Sequence, residues 1–186
     1  LISLVSGFLV ADNSVYDAYK KGFDKYNVEY INFVTADKLS DEAIDKLEKE
    51  NKVKIYDQRY YELKESKRNA TIRIYGERKS VNKLCVMSGK LAKKDDEIAL
   101  DRVFAKNNNY KVGDNITIDK NTYKITGFIA MPDYSCVFED NADMMFDSVN
   151  FGVASMTDNG LSKLKESKLS YCYAVKYNKK PESDKK

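Results

Sequence analysis

Between Asn115 and Ala130 the chain reads Asn-Ile-Thr-Ile-Asp-Lys-Asn-Thr-Tyr-Lys-Ile-Thr-Gly-Phe-Ile-Ala. Apolar and polar residues alternate on both sides of a short polar turn, a period of two that only a β-hairpin satisfies. With Lys120-Asn121 as a two-residue loop, Ile118 faces Tyr123 and Ile116 faces Ile125. All four then lie on one face of the ribbon, as a half-buried hairpin requires. The loop lacks the favoured Asn-Gly order.

The residues leading into this hairpin are equally readable. Gly89 permits a turn with positive φ, and Lys93-Lys94-Asp95-Asp96 is a polar connector. Glu97-Ile98-Ala99-Leu100 is a short apolar strand that feeds a helix, about Asp101 to Asn108, with Val103, Phe104 and Ala105 on its apolar side. Gly113-Asp114 turns the chain into the hairpin.

Earlier in the chain, Asp12-Asn13-Ser14 offers cap side chains. Val15/Tyr16, Tyr19, Phe23 and Tyr26 then recur at helical spacing, which predicts an amphipathic helix over 14–26 ended by Asn27. Val28 to Val34 reads as a strand. Ser40-Asp41-Glu42 starts a second helix, with acids where the helix dipole favours them and Leu39 and Ile44 at staple positions. Val53 to Leu63 is a single Tyr-rich strand, so the opening order is α-β-α-β. Ala70 to Tyr75 alternates as a strand after a charged break at Lys64 to Asn69. Past Pro132, residues 133–147 are irregular and acidic. Ser148 to Met156 is a strand, Thr157 to Gly160 caps a helix over Leu161 to Lys168, and Ser170 to Tyr177 is a last strand.

The ordered series Gly89…Glu97-Ile98-Ala99-Leu100-Asp101…Ala105…Val112-Gly113-Asp114…Ile125-Thr126-Gly127…Pro132-Asp133-Tyr134 resembles the extracytoplasmic domain of MacB/FtsX-type ABC-transporter permeases, the part called the MacB-like periplasmic core domain. Asn27-Val28-Glu29…Phe33 and Phe151-Gly152-Val153 look like the flanking segments of that family, so the resemblance runs from about Val15 to Tyr177. It implies an α+β fold: a porter-like α/β lobe built from both chain ends (1–64 and 148–178), an inserted, mostly β lobe (65–147) and a flexible tail (179–186). The closing β-α-β would supply strand partners for the opening α-β-α-β.

Leu1 to Val10 is apolar but spans about half of the ~20 residues that cross a bilayer. It reads as a buried first element or as the outer end of a transmembrane helix, and the resemblance favours the second. The chain has no His, which removes the Ser-His and Cys-His dyads and the commonest zinc ligand. Cys85, Cys136 and Cys172 are isolated, with no C-x-x-C spacing, and read as small half-buried residues. Thirty-two basic and 29 acidic residues are interspersed, so the net charge of +3 gives no nucleic-acid footprint. Gly-rich phosphate loops are absent, so this segment is not an ATP-binding part.

The remaining motifs are weak. Glu139-Asp140-Asn141-Ala142-Asp143…Asp147 lacks the Gly and terminal Glu of an EF-hand and reads as a solvated loop. Ser-x-x-Lys occurs at Ser80…Lys83, Ser162…Lys165 and Ser183…Lys186, the frequency expected by chance in a Lys-rich chain, and its companion motifs are missing. No catalytic, cofactor or metal residue is assigned. Fourteen Tyr and no Trp fit a Tyr-heavy core and sheet surface. The places to look for a partner surface are Tyr56, Tyr60 and Tyr61, together with Met144, Met145 and Phe146.

The resemblance therefore implies a non-catalytic extracellular domain of a membrane-bound permease that couples cytoplasmic ATP hydrolysis to export or extraction of lipid, lipoprotein or peptide cargo. The implied partners are transmembrane helices in the same full-length chain, a separate cytoplasmic ATPase subunit and a second permease copy. The Lys, Asn and Tyr bias points to a low-GC Gram-positive bacterium. A free secreted or cell-surface protein-binding module sharing the scaffold is the alternative.

Overall fold

A computed structural model of the chain describes residues 17, 20–134, 147–164 and 169–179. The predicted outer helix end (1–10), Cys136, most of the acidic segment and most of the tail lie outside them.

Ten strands form one mixed sheet system. A first helix, α1 (20–25), is followed by β1 (Ile31–Thr35), α2 (Asp41–Asn51), β2 (Val53–Asp57), β3 (Tyr60–Lys64) and β4 (Thr71–Tyr75). Then come β5 (Cys85–Gly89), β6 (Glu97–Asp101), α3 (Arg102–Asn107), β7 (Asn115–Ile118) and β8 (Asn121–Ala130). The chain closes with β9 (Phe151–Ser155), α4 (Asp158–Ser162) and β10 (Leu169–Tyr177). The expected α+β class is what the structure shows.

Local chemistry explains most of the boundaries. Asn27 adopts φ 49° at the end of α1, where a short amide side chain tolerates the left-handed region. Ser40 caps α2 by accepting from the Ala43 amide at 3.2 Å. Leu39, Ile44 and Leu47 then cover Val53, Ile55, Tyr173 and Val175 of the small sheet. Asp101 caps α3, its Oδ1 accepting from the amides of Val103 and Phe104 at 2.9 and 2.8 Å.

The strands group in two bodies joined by β10. Residues Tyr171 to Tyr177 of β10 lie between β1 and β2, both antiparallel, in a three-stranded sheet. Its first two residues, Leu169 and Ser170, pair instead with Tyr61 and Tyr60 of β3. From there the order runs β3-β4-β9-β6-β8-β5, with β7 also on β8. β4 with β9 and β6 with β8 are parallel. β9, assigned from sequence to the terminal lobe, therefore sits between β4 and β6 of the larger body.

The expected single strand Val53–Leu63 is broken at Gln58-Arg59. Its register is not. Asp57 faces Tyr173, the Gln58 amide donates to the Cys172 carbonyl at 2.8 Å, and Tyr60 faces Ser170. One antiparallel ribbon thus passes from the small sheet into the large one through the interruption.

The hairpin differs from expectation in a similar way. Asp119 and Lys120, not Lys120 and Asn121, form the loop, with φ of 46° and 72°. Ile118 faces Asn121 and Ile116 faces Tyr123. Two successive left-handed residues give a turn whose twist matches the strands, and Asp tolerates that region. The partner shift is two residues, so the faces are preserved, and Ile116, Ile118, Tyr123 and Ile125 are all buried.

The large sheet is covered on both faces. One face carries Leu63, Ile72, Ile74, Ile98, Leu100 and Ile125 under α3 and α4. Burying each such side chain contributes about 1.5–3 kcal/mol. Phe104 of α3 lies so close to β9 that a Cβ on Gly152 would sit 2.5 Å from its ring. The opposite face carries Tyr75, Ala99, Ile129, Phe151 and Val153, with Met131 and Tyr134 packed against them. Gly89 has the expected positive φ, 68°, and pairs with Gly127 across β5 and β8. A Cβ on Gly127 would meet the Lys90 carbonyl at 2.4 Å, so these strands approach only because both residues lack side chains.

Three predicted elements differ in extent. The strand predicted over Val28–Val34 is Ile31–Thr35, and that over Ser148–Met156 is Phe151–Ser155, because Ser148 to Asn150 form a turn closed by Asp147. The helix expected from Leu161 starts at Asp158, directly after its Thr157 cap.

Candidate functional site

Alternation along β4 places Ile72 and Ile74 in the core beneath α3 and α4, and Arg73 and Tyr75 on the opposite face. That second face is closed by the segment 131–134 rather than by water. Arg73 donates from Nε to Glu62 Oε1 at 2.8 Å and from Nη1 to the Tyr134 hydroxyl at 2.9 Å. Its guanidinium lies over the rings of Tyr60 and Phe151, 4.6 and 5.1 Å from their centroids. The Tyr75 and Tyr134 hydroxyls are 2.7 Å apart. Arg78, in the loop after β4, pairs through Nη1 with Asp133 Oδ1 at 2.6 Å, and the two side chains are only 2 and 8 % exposed. Its guanidinium stacks on Tyr75 at 4.1 Å.

These contacts fix the ionisation states. Burial opposes charge on Arg73 and Arg78, but Tyr134, Tyr75 and Glu62 around the first, and Asp133 and Tyr75 around the second, outweigh it, so both stay cationic. Burial pushes the Tyr75 and Tyr134 hydroxyls above their ordinary range. The Cys172 thiol is pushed up to about 11, by burial first and then by the Glu29 carboxylate. Burial also raises Glu29, against the hydrogen bonds from Asn32 and Asn82.

Beside this network, at the interruption of the ribbon, a cleft of about 420 Å³ is lined by Asp57–Arg59 on one side and by Gly76–Arg78 with α4 on the other. Asp57 pairs with Arg59 across the break. Asp158 Oδ1 accepts from the Glu77 amide at 2.9 Å.

Two of the predicted tyrosines, Tyr60 and Tyr61, pack on opposite faces of the sheet. Tyr56 is half-buried on β2. Tyr60 packs against Tyr75, 5.3 Å between centroids, under Arg73. Tyr61 is 5 % exposed in the opposite core, because neighbours on a strand point to opposite faces. Met144, Met145 and Phe146 lie outside the described residues. Of the acids from Glu139 to Asp147 only Asp147 is described, and its carboxylate closes the turn before β9 by accepting from the Val149 and Asn150 amides. Among the described residues no group of three or more His, Cys, Asp or Glu could hold a metal ion. The Ser162 hydroxyl donates to the Asn159 carbonyl, a local turn contact.

Sequence reasoning did not single out Arg73, Arg78, Glu62 or Gln58. The available signal was an Arg on the alternate face of an otherwise apolar strand. That residue type in that position looks solvent-facing until a second layer is known to cover it.

The chain matches no family model and no curated protein. Among solved structures it is similar to the periplasmic region of MacB from Actinobacillus actinomycetemcomitans. The identity is 15 % and the TM-score 0.43, over 78 % of this chain and 68 % of that one.

Proposed function

We propose that this chain is the extracytoplasmic domain of a MacB/FtsX-type ABC-transporter permease, held at the outer face of a cell membrane and without catalytic activity of its own. The observation that carries the reading is where the family-like residues meet. Glu97–Asp101 runs parallel to Ile125-Thr126-Gly127 of β8, with Ile98 facing Ile125 and Ala99 facing Gly127. The Gly113 amide donates to the Ile125 carbonyl, and the Ile125 amide to the Asp114 carbonyl, both at 2.8 Å. Asp101 caps α3. Asp133 and Tyr134 are held by Arg78 and Arg73. Segments far apart in sequence thus form one structural nucleus, and motifs of this kind carry a scaffold rather than an active site.

The segment that enters β1 and the end of β10 lie together, an arrangement that suits insertion between two membrane spans. Lys176 of β10 donates to the Val28 carbonyl at 2.6 Å, and its ammonium lies over the rings of Phe23 and Tyr30. Tyr30 also packs against Tyr177. The chain therefore enters and leaves at the same side of the small sheet. No helix among the described residues is long and apolar enough to cross a membrane.

On this reading the two-strand ribbon through Gln58-Arg59 and β10 is the mechanical link between a membrane-side sheet and an outer sheet. A cytoplasmic ATPase subunit drives the motion, a second permease copy completes the unit, and the cargo is lipid, lipoprotein or peptide. Reading the full-length gene product tests this. Spans of about 20 apolar residues on both sides of the segment support it. A single cleaved signal with no later span contradicts it and leaves a secreted binding module.

A further inference from the structure

We infer that the open edge of β1 is a docking site for an extended, uncharged peptide segment of a partner chain, which adds to the small sheet as a further strand. Among the described residues β1, β2, β5 and β7 each have a strand on one side only. Such an edge presents backbone N–H and C=O groups that recruit other chains, and folds blunt it with charge, bulges or a covering segment. At β2 the Ile55 amide donates to Glu48 Oε1 at 2.8 Å, and Lys54 and Asp57 put charge on the strand. At β7 the segment after β3 lies across the edge, the Ser66 amide donating to the Thr117 carbonyl at 2.9 Å and the Asp119 amide to the Lys64 carbonyl at 3.0 Å. At β5 the register slips between Val86 and Ser88, and Lys90 follows directly.

β1 carries none of these devices. It reads Ile-Asn-Phe-Val-Thr, without charge, Pro or Gly. Its register with β10 is unbroken, from Ile31 opposite Val175 to Thr35 opposite Tyr171. Ile31 and Val34 are 51 and 58 % exposed. A regular, β-branched edge left open in this way is what strand addition needs. The main chain of the occupant supplies the hydrogen bonds, and its alternate side chains set the sequence preference.

Charge selects among occupants. The strand offers no charge to pair with one on the peptide, so the occupant is neutral along it. A second copy is disfavoured by the flanks. Two β1 strands paired antiparallel about Phe33 would set Glu29 of one opposite Asp37 of the other at both ends, and like charges so placed repel. β1 lies directly against β10, the strand that continues into the large sheet, so an added strand stiffens the small sheet beside that link. This inference stands apart from membrane attachment and is tested on the isolated chain.

The test is an NMR titration of the 186-residue chain with the capped peptide N-acetyl-Thr-Val-Thr-Val-Thr-amide. Saturable amide shifts and slowed hydrogen exchange centred on Ile31–Thr35 are expected. The same peptide with both Val replaced by Pro has lost backbone donors and is expected to bind at least about tenfold more weakly. The same peptide with its central Thr replaced by Asp is expected to bind about three- to tenfold more weakly. Val34→Lys puts a charge on the edge at an exposed position and is expected to abolish the shifts, whereas Val86→Lys on β5 is expected to leave them unchanged. No shift at millimolar peptide, equal binding of the Pro peptide, or shifts that survive Val34→Lys overturn the inference. So does slow exchange of every β1 amide before peptide is added, which means the edge is already covered, or a dimer in sedimentation that Val34→Lys dissociates, which makes a second copy the occupant.

Discussion

Replacing Asp133 by Ala tests whether the buried ion pair clamps the segment 131–134 onto the sheet. The pair is short, 2.6 Å, and its side chains are 2 and 8 % exposed, so solvent does not screen it. Removing the carboxylate leaves the Arg78 guanidinium buried, with Nη1 newly deprived of Asp133 and Nε already without a partner. An uncompensated charge in such a place costs ~3–5 kcal/mol, against ~0–1 kcal/mol for an exposed pair. For a chain of this size each kcal/mol moves the midpoint by about 2–4 °C, so a fall of roughly 6–20 °C is expected. Urea unfolding followed by circular dichroism gives the free energy, and a thermal scan gives the midpoint. The double variant Arg78→Met/Asp133→Ala removes the stranded charge and is expected to lose no more than Asp133→Ala alone, even though it gives up the Arg78–Tyr75 stack. A loss under about 1 kcal/mol for Asp133→Ala, or strictly additive losses in the pair, refutes the reasoning.

Four further substitutions probe separate parts of the structure. Gly127→Ala pushes a methyl into the Lys90 backbone and is expected to cost at least ~1–3 kcal/mol in urea unfolding, whereas Gly22→Ala, in α1 with nothing within 4 Å of the added Cβ, is expected to stabilise by up to ~1 kcal/mol. Asp101→Ala uncaps α3 and is expected to cost ~1–2 kcal/mol by the same assay. Cys172 has its thiol raised in the folded state, from an ordinary 9.0 to about 11, so its contribution is fully present below about pH 9 and is lost as pH rises through about 11. The stability difference between the parent and Cys172→Ala should therefore shift against the parent across that window. A difference that stays flat in unfolding free energies measured between about pH 9 and 11 contradicts the burial of Cys172.

What was legible in the sequence was local. The period-two alternation of 115–130 identified the right face of the hairpin, because a two-residue change of partner leaves every side chain where it was. The turn itself was misplaced, because Asp119-Lys120 is an unusual choice for two left-handed positions. Val53–Leu63 was read as one strand, and its constant register with β10 shows why. The break at Gln58-Arg59 comes from the strand passing between two sheets, which no local pattern encodes. Strand β5 went unread because Cys85 to Gly89 is largely exposed and carries no alternation. The place of β9 between β4 and β6 depends on pairings far apart in sequence. The network of Arg73, Arg78, Asp133 and Tyr134 was illegible for the same reason: each residue is ordinary alone, and only the covering segment makes them a buried cluster.

The central claim is that this domain stands outside a membrane as part of a permease. It is tested most directly in intact cells expressing the full-length protein with Lys46→Cys, a position whose side chain is 73 % exposed on α2. A membrane-impermeant maleimide should label the introduced thiol before lysis, with the parent protein as the control for its own cysteines. The labelled protein should remain in the membrane fraction after a high-salt or alkaline wash. Labelling only after the membrane is broken, or recovery of the labelled protein in the wash or the culture medium, would contradict the account.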